Sequence, residues 1–228
     1  MIVYSVIPAR GGSKSIPKKN IQLLGGKALI EYSIEYSIKS AEISRTIVST
    51  DSNEIAKIAK NAGADVPFIR PDELAHDDTQ DYPVFRHALE KLELIYEVQI
   101  DVIALLRPTS PLRPEGLLEK GLDLLNRYPD ASSVRTVTPS QEHPFRQWII
   151  SEEYIKGYQS GFIEPYNLPR QNLPSVYFQT GDLELIRRQT ILDGSISGDF
   201  ILPLIIDAED MLDIDHPADL RRAEQKKN

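Results

Sequence analysis

Short apolar runs alternate with amphipathic helical stretches along most of this chain, and this alternation narrows what it can fold into more than any other feature. Residues 2–7 read as a buried strand, followed by a Gly- and Lys-rich loop, a helical pattern over about 29–41, and a strand at 45–50 centred on Ile47 and Val48. Asp51 or Ser52 can cap a helix running through Ile55, Ala56, Ile58 and Ala59, which Gly63 terminates. Residues 66–69 read as a short strand. From about Asp81 a longer helix carries Val84, Phe85, Ala88, Leu89, Leu92 and Ile95 on one face, and 101–106 is again a strand. Pro114 suits the first turn of a helix bearing Leu117, Leu118, Leu122 and Leu125, ahead of a strand at 131–137. A helix near 182–189, a strand at 200–206 and a helix entered through Pro217 close the pattern. It predicts a parallel or mixed sheet with helices on both faces.

The rhythm breaks at about 138–174, where Pro139, Pro144, Pro165 and Pro169 interrupt β-prone stretches at 148–151 and 154–158. This segment reads as a β-rich excursion from a single domain spanning 1–228. A chain of 228 residues accommodates one large α/β domain with its own core, and two would be crowded.

The formal net charge of −8 argues against broad electrostatic binding to nucleic acid or anionic lipid, so neither is expected as a partner. No apolar run is long enough to span a bilayer, and residues 2–9 lack the basic flank of a signal peptide and contain Pro8. Cysteine is absent, which excludes disulfides, thiolate catalysis and cysteine-ligated zinc and is compatible with the expected cytoplasmic location. His76, His87, His143 and His216 show no zinc-ligand spacing.

Against that acidic background, residues 1–30 contain no Asp or Glu, yet Arg10, Lys14, Lys18, Lys19 and Lys27 all fall there. The loop after the first strand, Pro8-Ala9-Arg10-Gly11-Gly12-Ser13-Lys14-Ser15-Ile16-Pro17-Lys18-Lys19-Asn20, combines adjacent glycines, which let backbone N–H groups approach an oxyanion, with basic countercharge. It is neither a GxxxxGK[ST] loop nor a GxGxxG loop, so kinase, ATPase and dinucleotide-binding readings lose their main support. Taken alone, it is also consistent with a solvated turn. Near the other end, Asp213 and Asp215 are two apart, so in an extended segment their carboxylates project from one side and can share a magnesium ion. Equally, Asp215 can cap the helix opened by Pro217, with Asp213 a solvated acid.

The loop string resembles the N-terminal signature of the acylneuraminate cytidylyltransferases, the CMP-sialic acid synthetase family. So, in order, do Ser49-Thr50-Asp51, Arg70-Pro71-Asp72-Glu73-Leu74-Ala75, Arg107-Pro108-Thr109-Ser110-Pro111-Leu112-Arg113 and Leu212-Asp213-Ile214-Asp215. The resemblance implies a three-layer α/β/α sandwich of the nucleotide-diphosphosugar transferase type, with the 138–174 excursion as a small β-rich dimerisation arm. It implies a nucleotidyltransferase that joins CTP to an acidic nine-carbon sugar, a nonulosonic acid such as sialic or legionaminic acid, releasing pyrophosphate. On the nucleotide it places Arg10, Gly11, Gly12, Ser13, Lys14, Lys19, Asn20, Asp51 and Arg70. On the sugar it places Arg107, Thr109, Ser110, Arg170, Gln171 and Gln179. Mg2+ is expected on Asp213 and Asp215, which with Arg10 and Lys19 form the catalytic set.

Departures accompany the match. Arg107 stands where some members have glutamine, Asp81 where sialate-specific members can carry a small hydroxyl residue, and residues 177–182 replace an Asn-Gly-Ala type segment. The alternatives are a CMP-3-deoxy-manno-octulosonate synthetase-like enzyme, disfavoured by Lys19-Asn20, and a non-catalytic nucleotide-binding protein of the same fold. Some vertebrate relatives carry a further phosphatase-like domain, which is not expected here because the chain ends soon after Asp215. A homodimer is expected through the arm, whose Phe145, Trp148, Ile149, Ile150, Tyr154, Ile155, Tyr158 and Phe162 exceed what a solvent-facing loop should expose.

Overall fold

The computed structural model describes residues 1–227. Its centre is a six-stranded sheet built from β1 (Val3–Pro8), β4 (Arg45–Ser49), β5 (Val102–Leu105), β6 (Ser133–Pro139), β9 (Tyr177–Arg187) and β10 (Ile201–Ile205). The spatial order is β10-β6-β9-β5-β1-β4. All strands are parallel except β9, which runs antiparallel between β5 and β6. Two small antiparallel ribbons stand outside it, β2 (Leu23–Leu24) with β3 (Lys27–Ala28), and β7 (Trp148–Ser151) with β8 (Tyr154–Gly157).

Because successive strand residues face opposite sides, each face of the sheet has its own core. Val3, Ile7, Val48, Ala104, Leu183 and Leu185 face one side, where α1 (Leu29–Lys39), α2 (Asn53–Asn61) and α4 (Leu117–Arg127) pack. Tyr4, Val6, Ile47, Ile103, Leu105 and Ile186 face the other, under α3 (Asp81–Tyr96) and α5 (Arg188–Leu192). Phe85, fully buried on α3, contributes about 2–3 kcal/mol by leaving water. A third cluster joins Ile16 of the basic loop, Leu24, Leu29, Ile214 and Ala223 of α6 (Pro217–Lys227), and so packs the first loop against the Asp213–Asp215 segment.

Several expectations are corrected. The helix expected near 182–189 is the second half of β9: Leu183 and Leu185 face one core and Ile186 the other, a period of two that suits the slot between β5 and β6. Only Arg188–Leu192 is helical. Residues 66–69 form no strand; the chain makes a single bridge from Asp65 to Ile47, and Pro67, lacking an N–H, cannot extend it. Helix α4 begins at Leu117 behind Gly116, whose φ of 70° suits glycine, so Pro114 lies before the helix rather than in its first turn. Ile95 faces solvent instead of the core. The excursion contains one hairpin, β7 with β8, presenting Ile150, Tyr154 and Ile155 to solvent, and short single-turn helices at Pro144–Arg146, Pro165–Asn167 and Arg170–Asn172.

Candidate active site

Parallel strands aim their carboxyl ends at one edge of the sheet, where open α/β folds gather ligand-binding loops. Here that edge receives the basic loop after β1, Thr50 to Ser52 after β4, Arg107 to Arg113 after β5, and the Asp213–Asp215 segment after β10. Antiparallel β9 brings its beginning to the same edge, so Glu184 pairs in register with Leu105, the last residue of β5. A cavity of about 500 Å³ opens there, lined among others by Arg10, Ser13, Lys14, Lys19, Asn20, Arg70, Asp77, Asp81, Arg107 and Thr109.

The basic loop is held open by side-chain to backbone bonds. Asn20, buried, donates its Nδ2 to the Arg10 carbonyl at 2.9 Å, and the Gly11 N–H donates to Asp51 Oδ1 at 2.9 Å. Asp51 therefore anchors the loop and does not cap α2; Ser52 caps it, accepting from the Ile55 N–H. Gly11, Gly12 and Asp51 do not line the cavity. The cationic side chains each meet a carboxylate. Arg10 Nη1 lies 2.9 Å from Asp77 Oδ1, Lys14 pairs with the same carboxylate, and Lys19 Nζ lies 2.8 Å from Asp215 Oδ1. The hydrogen bond from Lys14 holds the Asp77 carboxyl below its ordinary range, Arg10 adding to it.

Arg70 is 4% exposed, and its Nε and Nη2 have no hydrogen-bond partner; Asp51 Oδ1 stands 3.7 Å away. Burial pulls its pKa below the ordinary arginine value, with Asp51 opposing and Arg10 adding to the shift. Both of those nitrogens are sealed from solvent on the Asp51 side, while the residue also contributes to the cavity wall.

Arg107 Nη2 bonds both Asp81 at 2.6 Å and Glu184 at 3.0 Å. Burial lowers its pKa, but the two carboxylates outweigh that and hold it above the ordinary arginine value. Thus the two departures noted in the sequence, Asp81 and Arg107, are partners in one ion pair. Arg135 completes the network, 2.9 Å from Glu184 and donating at 2.7 Å to Gln179 Oε1.

Beneath this layer, Arg113 donates to the carbonyls of Arg107 and Asp182 and to Ser33 Oγ at 2.9 Å, and stacks on Tyr36. Burial lowers its pKa to about 10. Ser110 is buried with an unpartnered hydroxyl; a Cβ on Gly181 would sit 2.8 Å from it, so that close approach requires glycine.

The Ile214 N–H donates to the Thr109 carbonyl at 2.9 Å, fixing the aspartate pair against the β5 loop. Partial desolvation of the carboxylate raises the Asp213 pKa and Asp215 adds to it, while Thr109, Lys19 and Arg107 oppose the shift. Asp215 does not cap α6. Asp219 accepts from the backbone N–H groups of both Asp215 and His216, leaving the Asp215 carboxylate free to meet Lys19. Among the described residues no group of three or more His, Cys, Asp or Glu side chains is gathered into a metal cage. A pair of carboxylates suits magnesium, which takes one or two plus phosphate oxygens and water.

Arg170 and Gln171 lie in an exposed turn at the end of the excursion and do not line this cavity; Arg170 borders a separate recess with His143 and Pro174. Gln179 is likewise exposed and outside the lining. Sequence reasoning missed Asp77, Glu184 and Arg135. Glu184 was hidden by the helical reading of 182–189, and Asp77 lacks any local signal, because its partners stand more than sixty positions away.

An open α/β sheet whose carboxyl edge sets a basic loop opposite paired aspartates is the architecture of a nucleotide-handling transferase. The cytidylyltransferase family model matches residues 4–145, and the chain belongs to that family. Among curated relatives, it is 30% identical over 96% of its length to a CMP-N,N'-diacetyllegionaminic acid synthase of Legionella pneumophila, 93% of which is covered. It is 33% identical over 99% of its length to an N-acylneuraminate cytidylyltransferase of Escherichia coli O18:K1:H7, spanning 53% of that longer protein. In fold it is similar to a CMP:2-keto-3-deoxy-manno-octonic acid synthetase solved with CTP, with a TM-score of 0.73, 16% identity and coverage of 100% and 98%. A 4-diphosphocytidyl-2C-methyl-D-erythritol synthase of Anaerococcus prevotii is similar at a TM-score of 0.66, 14% identity and coverage of 99% and 98%.

Proposed function

We propose that this chain transfers CMP from CTP to a nonulosonic acid, releasing pyrophosphate. The observation that carries this reading is the cavity lined by Arg10, Lys14 and Lys19 at the carboxyl edge of a cytidylyltransferase fold, with Asp215 held just outside that lining by its pair with Lys19. The acceptor class is supported by relatives named for sialic, legionaminic and pseudaminic acids.

In this reading the anomeric hydroxyl of the sugar attacks the α-phosphorus of CTP in line, and the bond to the β-phosphate breaks. Arg10, Lys14 and Lys19 hold the triphosphate and offset the charge that develops on the leaving pyrophosphate. Arg70, in the cavity wall, lends its positive charge to the nucleotide site. Asp213 and Asp215 would hold Mg2+, which when bound neutralises phosphate oxygens and acidifies the attacking hydroxyl. With Arg107 neutralised by Asp81 and Glu184, the sugar carboxylate needs another arginine, and Arg170 is the proposed one. The absence of cysteine suits a reducing cytoplasm, where we place the enzyme, and no helix among the described residues is long and apolar enough to cross a membrane.

Pyrophosphate release measured with each of the four common nucleoside triphosphates, against a panel of nonulosonic and octulosonic acids, tests the activity. Strong preference for CTP with a nonulosonic acid is expected. Equal turnover of UTP or ATP would remove the cytidylyl reading, and preference for an octulosonic acid would move the acceptor.

The exposed apolar arm supports a homodimer in which Arg170 serves the partner's site. Mixing an inactive Arg170→Ala chain with an inactive Asp215→Asn chain is then expected to restore part of the activity, since one site in each heterodimer carries both residues. A fully active monomer by light scattering sinks both dimer and sharing; a dimer without complementation sinks the sharing alone.

A further inference from the structure

Asp77 engages two cations of the basic loop. Its carboxylate bridges Arg10 and Lys14, the cations that the cavity would offer to a triphosphate, and Arg10 Nη1 also donates to the neighbouring His76 carbonyl at 2.8 Å. The segment that carries it links the short turn Asp72–Leu74 to the start of α3 and lies over the basic loop from the other side of the cavity. Nothing in the core requires this placement: Asp77 is exposed, Lys14 more so, and neither belongs to an apolar cluster.

We infer that Asp77 is an internal anion that competes with substrate triphosphate for Arg10 and Lys14 and, after transfer, helps expel pyrophosphate by taking those cations back. This rests on the nucleotide-transfer reading and adds to it a residue that sets phosphate affinity. Exposed ion pairs are individually weak, so a polyphosphate bringing several charges and many acceptor oxygens displaces the single carboxylate. Pyrophosphate would bind the same cations with most of that advantage and so inhibit its own producer. A tethered carboxylate is present at high effective concentration, which shortens the stay of the smaller anion.

Titration calorimetry on the full chain, with inorganic pyrophosphate and separately with CTP in Mg2+ buffer, compares wild type with Asp77→Asn. The variant keeps the shape and removes the charge. It is expected to bind both anions about three- to tenfold more tightly, with pyrophosphate a correspondingly stronger product inhibitor. If Asp77 instead orients Arg10 and Lys14 for substrate, the variant will bind both more weakly; that result, or unchanged affinity for pyrophosphate, overturns the proposal. A wild-type chain that binds pyrophosphate but not CTP would overturn the cytidylyl reading, while the pyrophosphate comparison still decides the role of Asp77.

Discussion

Asp213→Asn and Asp215→Asn are each expected to lower kcat roughly 100- to 1000-fold, the scale of losing one preorganised charge at a reacting phosphate. Both substitutions are nearly isosteric, so the fold should persist. For Asp213 the sign of the stability change also follows. Its pKa is raised in the folded state, so ionising it costs more there than in the unfolded chain, and stability is lost as pH rises through the carboxylate range. A neutral asparagine removes that cost, and Asp213→Asn should melt at or above wild type at pH 7. Asp215 loses a half-exposed pair with Lys19, worth about 1 kcal/mol. Steady-state kinetics at saturating Mg2+ together with thermal melts decide the matter. Near-normal rates in both variants would reduce Asp215 to a partner for Lys19 and leave Asp213 without a catalytic role.

Arg113→Ala is expected to cost about 3–5 kcal/mol of stability, the usual penalty for removing one member of a buried polar network. In a domain of this size that lowers Tm by roughly 10 °C. Arg113 supports the carbonyls of Arg107 and Asp182 and the Ser33 hydroxyl, so one guanidinium ties the β5 loop to β9 and α1. Without it those acceptors are stranded and a cavity opens. Arg113→Lys should recover only part of the loss, because a point charge cannot reproduce a planar fork reaching three acceptors. A Tm for Arg113→Ala within about 2 °C of wild type would show that the network rearranges freely.

Local pattern determined much of this molecule. The strands β1, β4 and β5 and the helices α1 to α4 were legible because each buries a continuous stripe or face whose period appears in the residues themselves, whereas α6 was placed by Pro217. The basic loop was legible as a charge asymmetry, and the aspartate pair as a spacing. The excursion was legible as a break in rhythm marked by prolines.

What the sequence could not supply were facts about pairs distant along the chain. The second half of strand β9 was read as a helix near 182–189. Only its insertion between β5 and β6 makes a strand with buried acids stable, since Arg107 and Arg135 wait there as counterions for Glu184. Whether Asp51 capped a helix or held the loop was undecidable locally, since its partner, the Gly11 N–H, arrives from forty residues away. Asp215 likewise had a capping role open to it, but its carboxylate meets Lys19 from the other end of the chain while its own N–H donates to Asp219. Periodicity fixes which side of an element is apolar. Which charge meets which is decided only when the tertiary fold brings the loops of one sheet edge together, because Coulomb and hydrogen-bond energies depend on separation in space and leave no trace in sequence spacing.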